Sequence, residues 1–385
     1  VRIAYVTETY PPELNGVSLT VERTVAYLRH RGHQVELIRP RQPGEAARDT
    51  PLELLTAGCP LPMYQDLRFG MARKHRLQRR FAATQPQLVH VATEGLLGLV
   101  AVAAAREFAI PVSSDFRTNF HQYSRYYGLG VFAPVVLAYL RGFHNRTQTT
   151  FVPTRLLRET LQQAGFERLR VVGRGVDTAL FTPQRRSAAL REHWGAVDGP
   201  VLLYVGRLAA EKNVALALAA FEAARTREPH TRLVMVGDGP LRRQLQARRP
   251  DVIFAGIQRG EQLAAHYASA DVFVFPSESE TFGNVTLEAL ASGLPVVAFD
   301  AAAAAEHVGD GVSGLLVPAG AQGAFIAATC SLAWEHAGLG ALRAHARQSA
   351  LRAGWPEVLG RFEADLANTV AAHASAVAAG AALAA

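Results

Sequence analysis

Apolar residues in this chain form short unbroken runs, separated by stretches in which they recur every three or four positions. The opening "VRIAYVT" is such a run and reads as a buried strand, while "SLTVERTVAYLRHR" has its apolar positions at helical spacing. Gly32 suits the helix C-terminal cap, and "HQVELIRP" follows as the next strand. A strand, a helix and a second strand in this order predict a parallel sheet. "PQLVHVAT", a helix from about Gly95 to Phe108, and "IPVSSDF" repeat the pattern. A second series starts near residue 200, with strands at "VLLYVG", "RLVMVG", "DVIFAG", "DVFVFP" and "PVVAF" and helical segments between them. The stretch "RLRVVGRGVDTALFTPQRR" between the series is rich in turn residues. The expected architecture is therefore α/β: two tandem doubly wound domains, residues 1–182 and 183–360, and an alanine-rich helical tail, 361–385. Ligands of such sheets lie beyond the carboxyl ends of the strands, and two facing sheets would share a cleft.

A length of 385 residues agrees with two cores rather than one. No apolar run reaches the roughly 18 to 20 residues of a spanning helix. The first residues are strand-like and lack a signal-peptide layout, and the two cysteines, Cys59 and Cys330, have no metal or redox spacing. These features predict a cytoplasmic setting. The net charge of +7 points to acidic partners, such as phosphate-bearing ligands or an anionic membrane surface. Only two of the 40 basic residues are lysines, Lys74 and Lys212, so the position of each carries information.

Four stretches carry candidate chemistry. In "PSESETFGNVTLEALASGLPVVAF", Glu280 falls in a loop leaving a strand and Glu288 in the second turn of the following helix. On one continuous helix they would stand about 12 Å and about 80° apart, too far to serve one small group. With Glu280 in the loop, both can border a ligand laid across the helix start. There the amides near Gly283, Asn284 and Val285 point outward and suit an anion. Two carboxylates beside an anion site fit a polyol phosphate such as a nucleotide sugar. The pattern alone leaves open an acidic loop followed by a solvated helix residue. In "YVGRLAAEKN", Arg207 and Lys212 leave a strand's carboxyl end and can converge on a diphosphate, against the alternative of a solvated basic loop. In "TETYPPELNGVSLT", Asn15-Gly16 makes a tight turn and Ser18 is a plausible helix N-cap. In "SSDFRTNFHQYSRYYG", Asp115, Arg117, Asn119 and His121 follow a strand among tyrosines. A histidine in that polar loop is a catalytic candidate.

Together these residues resemble the retaining glycosyltransferases of family 4, which have the GT-B fold. "ESETFGNVTLEALASGLPVVA" is similar to that family's hallmark and "GRLAAEKN" to its phosphate-binding loop, while "VGDGP" and the turn at Asn15-Gly16 also fit. Within the family the chain looks most like bacterial GDP-mannose-dependent α-mannosyltransferases and sulfolipid-synthase-like enzymes. The resemblance implies two Rossmann-like domains facing across a cleft, the first for the acceptor and the second for the nucleotide sugar. It assigns catalysis to Glu280, His121, Arg207 and Lys212. It places the donor on Asn15, Gly16, Arg207, Lys212, Glu280, Phe282, Gly283, Asn284, Val285 and Glu288. In these roles Glu280 meets sugar hydroxyls, Glu288 the ribose, and Arg207 and Lys212 the diphosphate. Many relatives carry paired glycines where this chain has Asn15-Gly16. The implied chemistry is front-face substitution with retention, giving an α linkage on a lipid or glycan hydroxyl. No Asp-x-Asp run occurs, and neither a cofactor nor a metal is expected.

For a lipid acceptor, the docking candidates are "RFGMARKHRLQRRFAATQP", where Met71, Leu77 and Phe81 interleave with cations, and the apolar "VFAPVVLAYLRGF". The first would hold the protein peripherally on the inner face of a membrane, against the default alternative of a solvated basic helix face. A nucleotide-sugar epimerase or a glycogen-type synthase on the same fold is the main alternative. A nicotinamide-dependent oxidoreductase is remote, because "VGDGPL" lacks the third glycine of that fingerprint. Nucleic-acid binding has no basic-aromatic module behind it.

Overall fold

The computed structural model describes residues 1–385 except 14–15, 43, 47–48, 62–63, 117–132, 197, 279, 281, 335–338 and 385. The chain divides into two compact units, one formed by Val1–Gly173 with Leu359–Ala385, the other by Arg174–Val358.

Among the described residues the first unit has an eight-stranded sheet. Its strands are β1 (Arg2–Val6), β2 (Gln34–Pro40), β3 (Glu53–Leu61), β4 (Tyr64–Met71), β5 (Leu88–Val91), β6 (Val112–Asp115), β7 (Thr149–Val152) and β8 (Leu169–Val171), in the order β4-β3-β2-β1-β5-β6-β7-β8. All pairings are parallel except that of β4, an antiparallel edge strand on β3. Helix α1 (Gly16–His30) connects β1 to β2, α2 (Lys74–Thr84) leads into β5, and α3 (Leu96–Glu107) into β6. The continuous apolar runs are buried on both faces, as a parallel sheet covered by helices requires.

The second unit is a six-stranded, wholly parallel sheet among the described residues. It comprises β9 (Val201–Val205), β10 (Arg232–Val236), β11 (Ile253–Gly256), β12 (Val272–Phe275), β13 (Val296–Phe299) and β14 (Gly314–Val317). The order β11-β10-β9-β12-β13-β14 reverses direction between β9 and β12. That reversal opens the crevice in which doubly wound sheets hold their ligands. Alternate residues of β9 divide between two cores. Val201, Leu203 and Val205 pack on one face, Leu202 and Tyr204 on the other.

The alanine-rich tail is the end of one helix, Trp355–Ala384, and from Leu359 it belongs to the first unit. Phe362 and Leu366 lie one turn apart and are buried with Tyr5, Val21 and Leu37. Glu363 beside them takes Nε2 of His33 at 2.8 Å and Nε of Arg31 at 3.1 Å. Polypeptide continuity read along the sequence ends the first domain once, whereas here the chain leaves that unit at Gly173 and returns to it.

Candidate active site

The loop leaving β9 is fixed from below and from the side. Tyr204 is fully buried, and its hydroxyl donates to the carbonyl of Arg207 at 2.9 Å. The amides of Gly206 and Leu208 donate to the carbonyls of Val236 and Asp238, so the turn after β9 runs along the turn after β10. A Cβ on Gly237 would stand 2.0 Å from the Gly206 carbonyl oxygen, which restricts this crossing to glycine. "VGDGP" is therefore the support of the "GRLAAEKN" loop. Beyond it, a 3₁₀ turn at Ala210–Lys212 leads into α4 (Val214–Arg225).

The loop leaving β12 lies across the reversal. Lys212 Nζ meets Glu280 Oε1 at 2.5 Å, and Ser277 Oγ donates to the same oxygen at 3.0 Å. Both charged side chains are about four-fifths buried, at 16% and 19% exposure. Arg207 is different: its side chain is 65% exposed and reaches Glu211 only at 3.4 Å, so it stands available to an incoming anion. Gly283, at φ 89°, is the N-cap of α5 (Asn284–Ala291), and no side chain caps that helix. The helix start, Lys212 and Arg207 thus offer positive charge and amide donors, while Glu280 offers an acceptor for hydroxyls.

Glu288 sits in the second turn of α5, as the sequence placed it. The hydroxyl of Tyr267, which is fully buried on the helix Gly260–Ser269, donates to Glu288 Oε2 at 3.0 Å. Burial pushes the Glu288 carboxyl up to about 7, with the Tyr267 hydrogen bond opposing the rise. Burial and the neighbouring carboxylate raise the Tyr267 phenol well above its ordinary value, so it remains a donor. Phe282 is 1% exposed, and its ring belongs to the core against His307 at 6.0 Å. Its carbonyl accepts from Ala303, so its backbone anchors the turn while its ring is buried beneath it. Among the described residues no group of three His, Cys, Asp or Glu side chains is placed to hold a metal ion.

In the first unit, Gly16 begins α1. Ser18, expected as the N-cap, lies inside that helix and donates to the Glu13 carbonyl at 2.6 Å. The helix begins at Gly16, ahead of that expected cap. Asn15, Arg117, Asn119 and His121 lie outside the described residues. Asp115 is buried at the end of β6, with Oδ2 3.4 Å from His90 Nε2. Glu8, which sequence reasoning passed over, bridges the β1/β5 reversal: Leu97 N–H donates to its Oε1 at 2.8 Å, and its own N–H donates to Thr93 Oγ1 at 2.9 Å. Burial raises its carboxyl to about 7. Glu8, Tyr204 and Tyr267 escaped notice because nothing in a linear sequence distinguishes a bonded core hydroxyl or carboxyl from any other.

The basic segment also changes character. Leu77 and Phe81 point into the core, so they are not available to a membrane. Arg76 pairs with Asp49, Arg80 with Glu36 and Lys74 with Glu107. Met71 stays exposed, as do Val135 and Tyr139 on the helix Ala133–His144. Among the described residues no helix is long and apolar enough to cross a membrane.

A family model described as Glycosyltransferase Family 4 matches residues 14–180, and one described as Glycosyl transferases group 1 matches residues 199–334. A GDP-mannose-dependent alpha-mannosyltransferase of Mycobacterium tuberculosis is 35% identical over 376 residues, covering 94% of this chain and 97% of that protein. An alpha-monoglucosyldiacylglycerol synthase of Streptococcus pneumoniae is 30% identical, covering 77% and 70%. Among solved structures, sucrose-phosphate synthase from Thermosynechococcus elongatus superposes with a TM-score of 0.74 at 20% identity, covering 96% of this chain and 99% of that one. The chain belongs to glycosyltransferase family 4 and is a glycosyltransferase with the GT-B fold.

Proposed function

We propose that this protein moves a hexosyl group, mannosyl or glucosyl, from a nucleoside-diphosphate sugar to a lipid or glycan hydroxyl, with retention and an α linkage. The observation that carries the reading is the Lys212–Glu280 contact across the β9/β12 reversal, beside an uncapped helix start. Donor binding exchanges that contact for two others, Lys212 to the diphosphate and Glu280 to the sugar hydroxyls. Arg207, exposed at the same mouth, joins Lys212 on the phosphates, and Glu288 takes the ribose. The relatives named for GDP-mannose favour that donor, and those named for glucosyldiacylglycerol favour a lipid acceptor.

In the reaction the acceptor oxygen bonds to C1 on the face from which the diphosphate departs. The C1–O bond to the phosphate breaks, and the acceptor proton passes to the leaving phosphate oxygen. Arg207, Lys212 and the α5 amides stabilise the charge that grows on that oxygen. These fixed positive groups replace a divalent ion in this reading, and the first unit binds the acceptor. The exposed Met71, Val135 and Tyr139, with Arg73 and Arg79, support contact with an anionic membrane surface.

A thermal-shift series with GDP-, UDP- and ADP-sugars tests the donor assignment, with GDP-mannose expected to stabilise most. Stabilisation by none of them refutes it. Full loss of transfer in EDTA, restored by a divalent ion, refutes the metal-free reading. Failure to sediment with phosphatidylglycerol vesicles at low salt refutes the membrane contact.

A further inference from the structure

We propose that two core tyrosines, Tyr204 and Tyr267, are positioning residues that set the two halves of the donor site from beneath; the inference rests on the donor-site reading above. Neither ring is exposed to solvent, so neither hydroxyl can touch a ligand in the crevice. Each nevertheless ends on a site group. The Tyr204 hydroxyl holds the Arg207 carbonyl at 2.9 Å, and the Tyr267 hydroxyl holds Glu288 Oε2 at 3.0 Å.

The two hydrogen bonds do different work. A phenol in an apolar core needs a partner: Tyr204 finds one on the loop that leaves its own strand, and Tyr267 one on the neighbouring helix α5. Tyr204 stands on β9, and its bond turns the chain at Gly206 so that the Arg207 side chain leaves the surface. A Cβ on Gly206 would come within 3.1 Å of the same hydroxyl, so the turn is closed tightly over it. Tyr267 stands on the helix Gly260–Ser269, between Phe181 and Phe273, both 5.7 Å away between ring centres. Its bond engages one Glu288 oxygen and fixes the plane of the carboxylate, which leaves the other oxygen to accept from a ribose hydroxyl. Without it, the Glu288 side chain can rotate among its rotamers, and part of the binding free energy is lost in ordering it.

The two halves therefore have separable signatures. Tyr267 acts through ground-state binding of the ribose, and Tyr204 acts through a cation that meets growing charge on the leaving phosphate. Replacement by phenylalanine keeps the ring and its packing while removing only the hydroxyl. Affinities for GDP and for 2′,3′-dideoxy-GDP, measured by calorimetry, read the first half. Wild type is expected to prefer GDP by about 10- to 100-fold, the value of hydrogen bonds to a charged group, and Tyr267→Phe to reduce that preference to under about threefold. Tyr204→Phe is expected to keep the preference intact while lowering kcat for GDP-mannose by about 10-fold or more.

A merely structural role would lower the melting temperature and leave the GDP-to-dideoxy ratio and the kcat-to-KM split untouched; that result overturns the proposal. Lys212→Ala separates failure of the inference from failure of the reading beneath it. If Lys212→Ala weakens GDP binding and the tyrosine variants behave as wild type, the positioning roles are wrong and the donor site stands. If Lys212→Ala leaves GDP binding unchanged and wild type does not discriminate between the two nucleotides, the donor-site reading and the inference both fall.

Discussion

Glu288 is the residue whose environment makes the most quantitative prediction. Its carboxyl, at 4.5 in the unfolded chain, is pushed up to about 7 by burial beside Tyr267. At about 1.4 kcal/mol per pH unit, that displacement corresponds to about 3 kcal/mol. Below 4.5 both states carry the proton and the group contributes nothing to the pH dependence. Between 4.5 and about 7 the folded state holds a proton that the unfolded state has released, so stability falls as pH rises. Above about 7 the full penalty is present. Glutamine cannot ionise, and its amide oxygen can still accept from Tyr267, so Glu288→Gln escapes the penalty. The variant should be more stable than wild type by up to about 3 kcal/mol at pH 8 and equal to it within about 0.5 kcal/mol at pH 4.5. Urea unfolding followed by tryptophan fluorescence reads the right unit, because the three tryptophans, Trp194, Trp334 and Trp355, all lie within Arg174–Val358. Other titrating groups, Glu8 among them, cancel in the difference between the two proteins. A stability difference that does not change with pH would refute the reasoning, as would a variant less stable than wild type at pH 8.

Lys212→Ala removes a charge-assisted contact to the leaving diphosphate and should lower kcat/KM for GDP-mannose by about 100-fold or more in steady-state assays. Glu280→Ala should abolish detectable turnover while changing GDP affinity less than about 10-fold by calorimetry, because the proposed donor site sets it against the sugar and not the nucleotide. Gly237→Ala forces a Cβ to 2.0 Å from the Gly206 carbonyl at φ 135° and should cost about 3 kcal/mol or more of stability. Gly283→Ala is a contrast: at φ 89° its nearest neighbour is 3.6 Å away, so urea unfolding should show a loss of only about 1 kcal/mol.

Much of the fold was legible because a buried parallel strand leaves an unbroken apolar run. "VLLYV", "VFVF" and "VVAF" are strands β9, β12 and β13 with every residue buried. The positions of Glu280 and Glu288 followed from the strand end and from Gly283 and Gly293, both of which adopt positive φ. Local pattern did not show what depended on distant partners. Within residues 68–86, Asp49, Glu36 and Glu107 take up Arg76, Arg80 and Lys74, while Arg73 and Arg79 stay exposed. Phe282 looked like part of the ligand wall, yet its ring fills the core under the loop.

The sequence by itself determined the two series of strands and helices and the residue types at each strand's carboxyl end, because hydrophobic periodicity and turn chemistry act over a few residues. It also carried the motif spacing that resembles family 4. The tertiary structure decided what stands next to what. Strand order alone brings the β9 and β12 loops together, although Lys212 and Glu280 lie far apart in the chain. Burial alone separates Glu288, whose carboxyl it raises, from Arg207, which it leaves in water. Both are properties of neighbours that the chain supplies only after folding, since desolvation and hydrogen bonding depend on distance in space and not along the polypeptide.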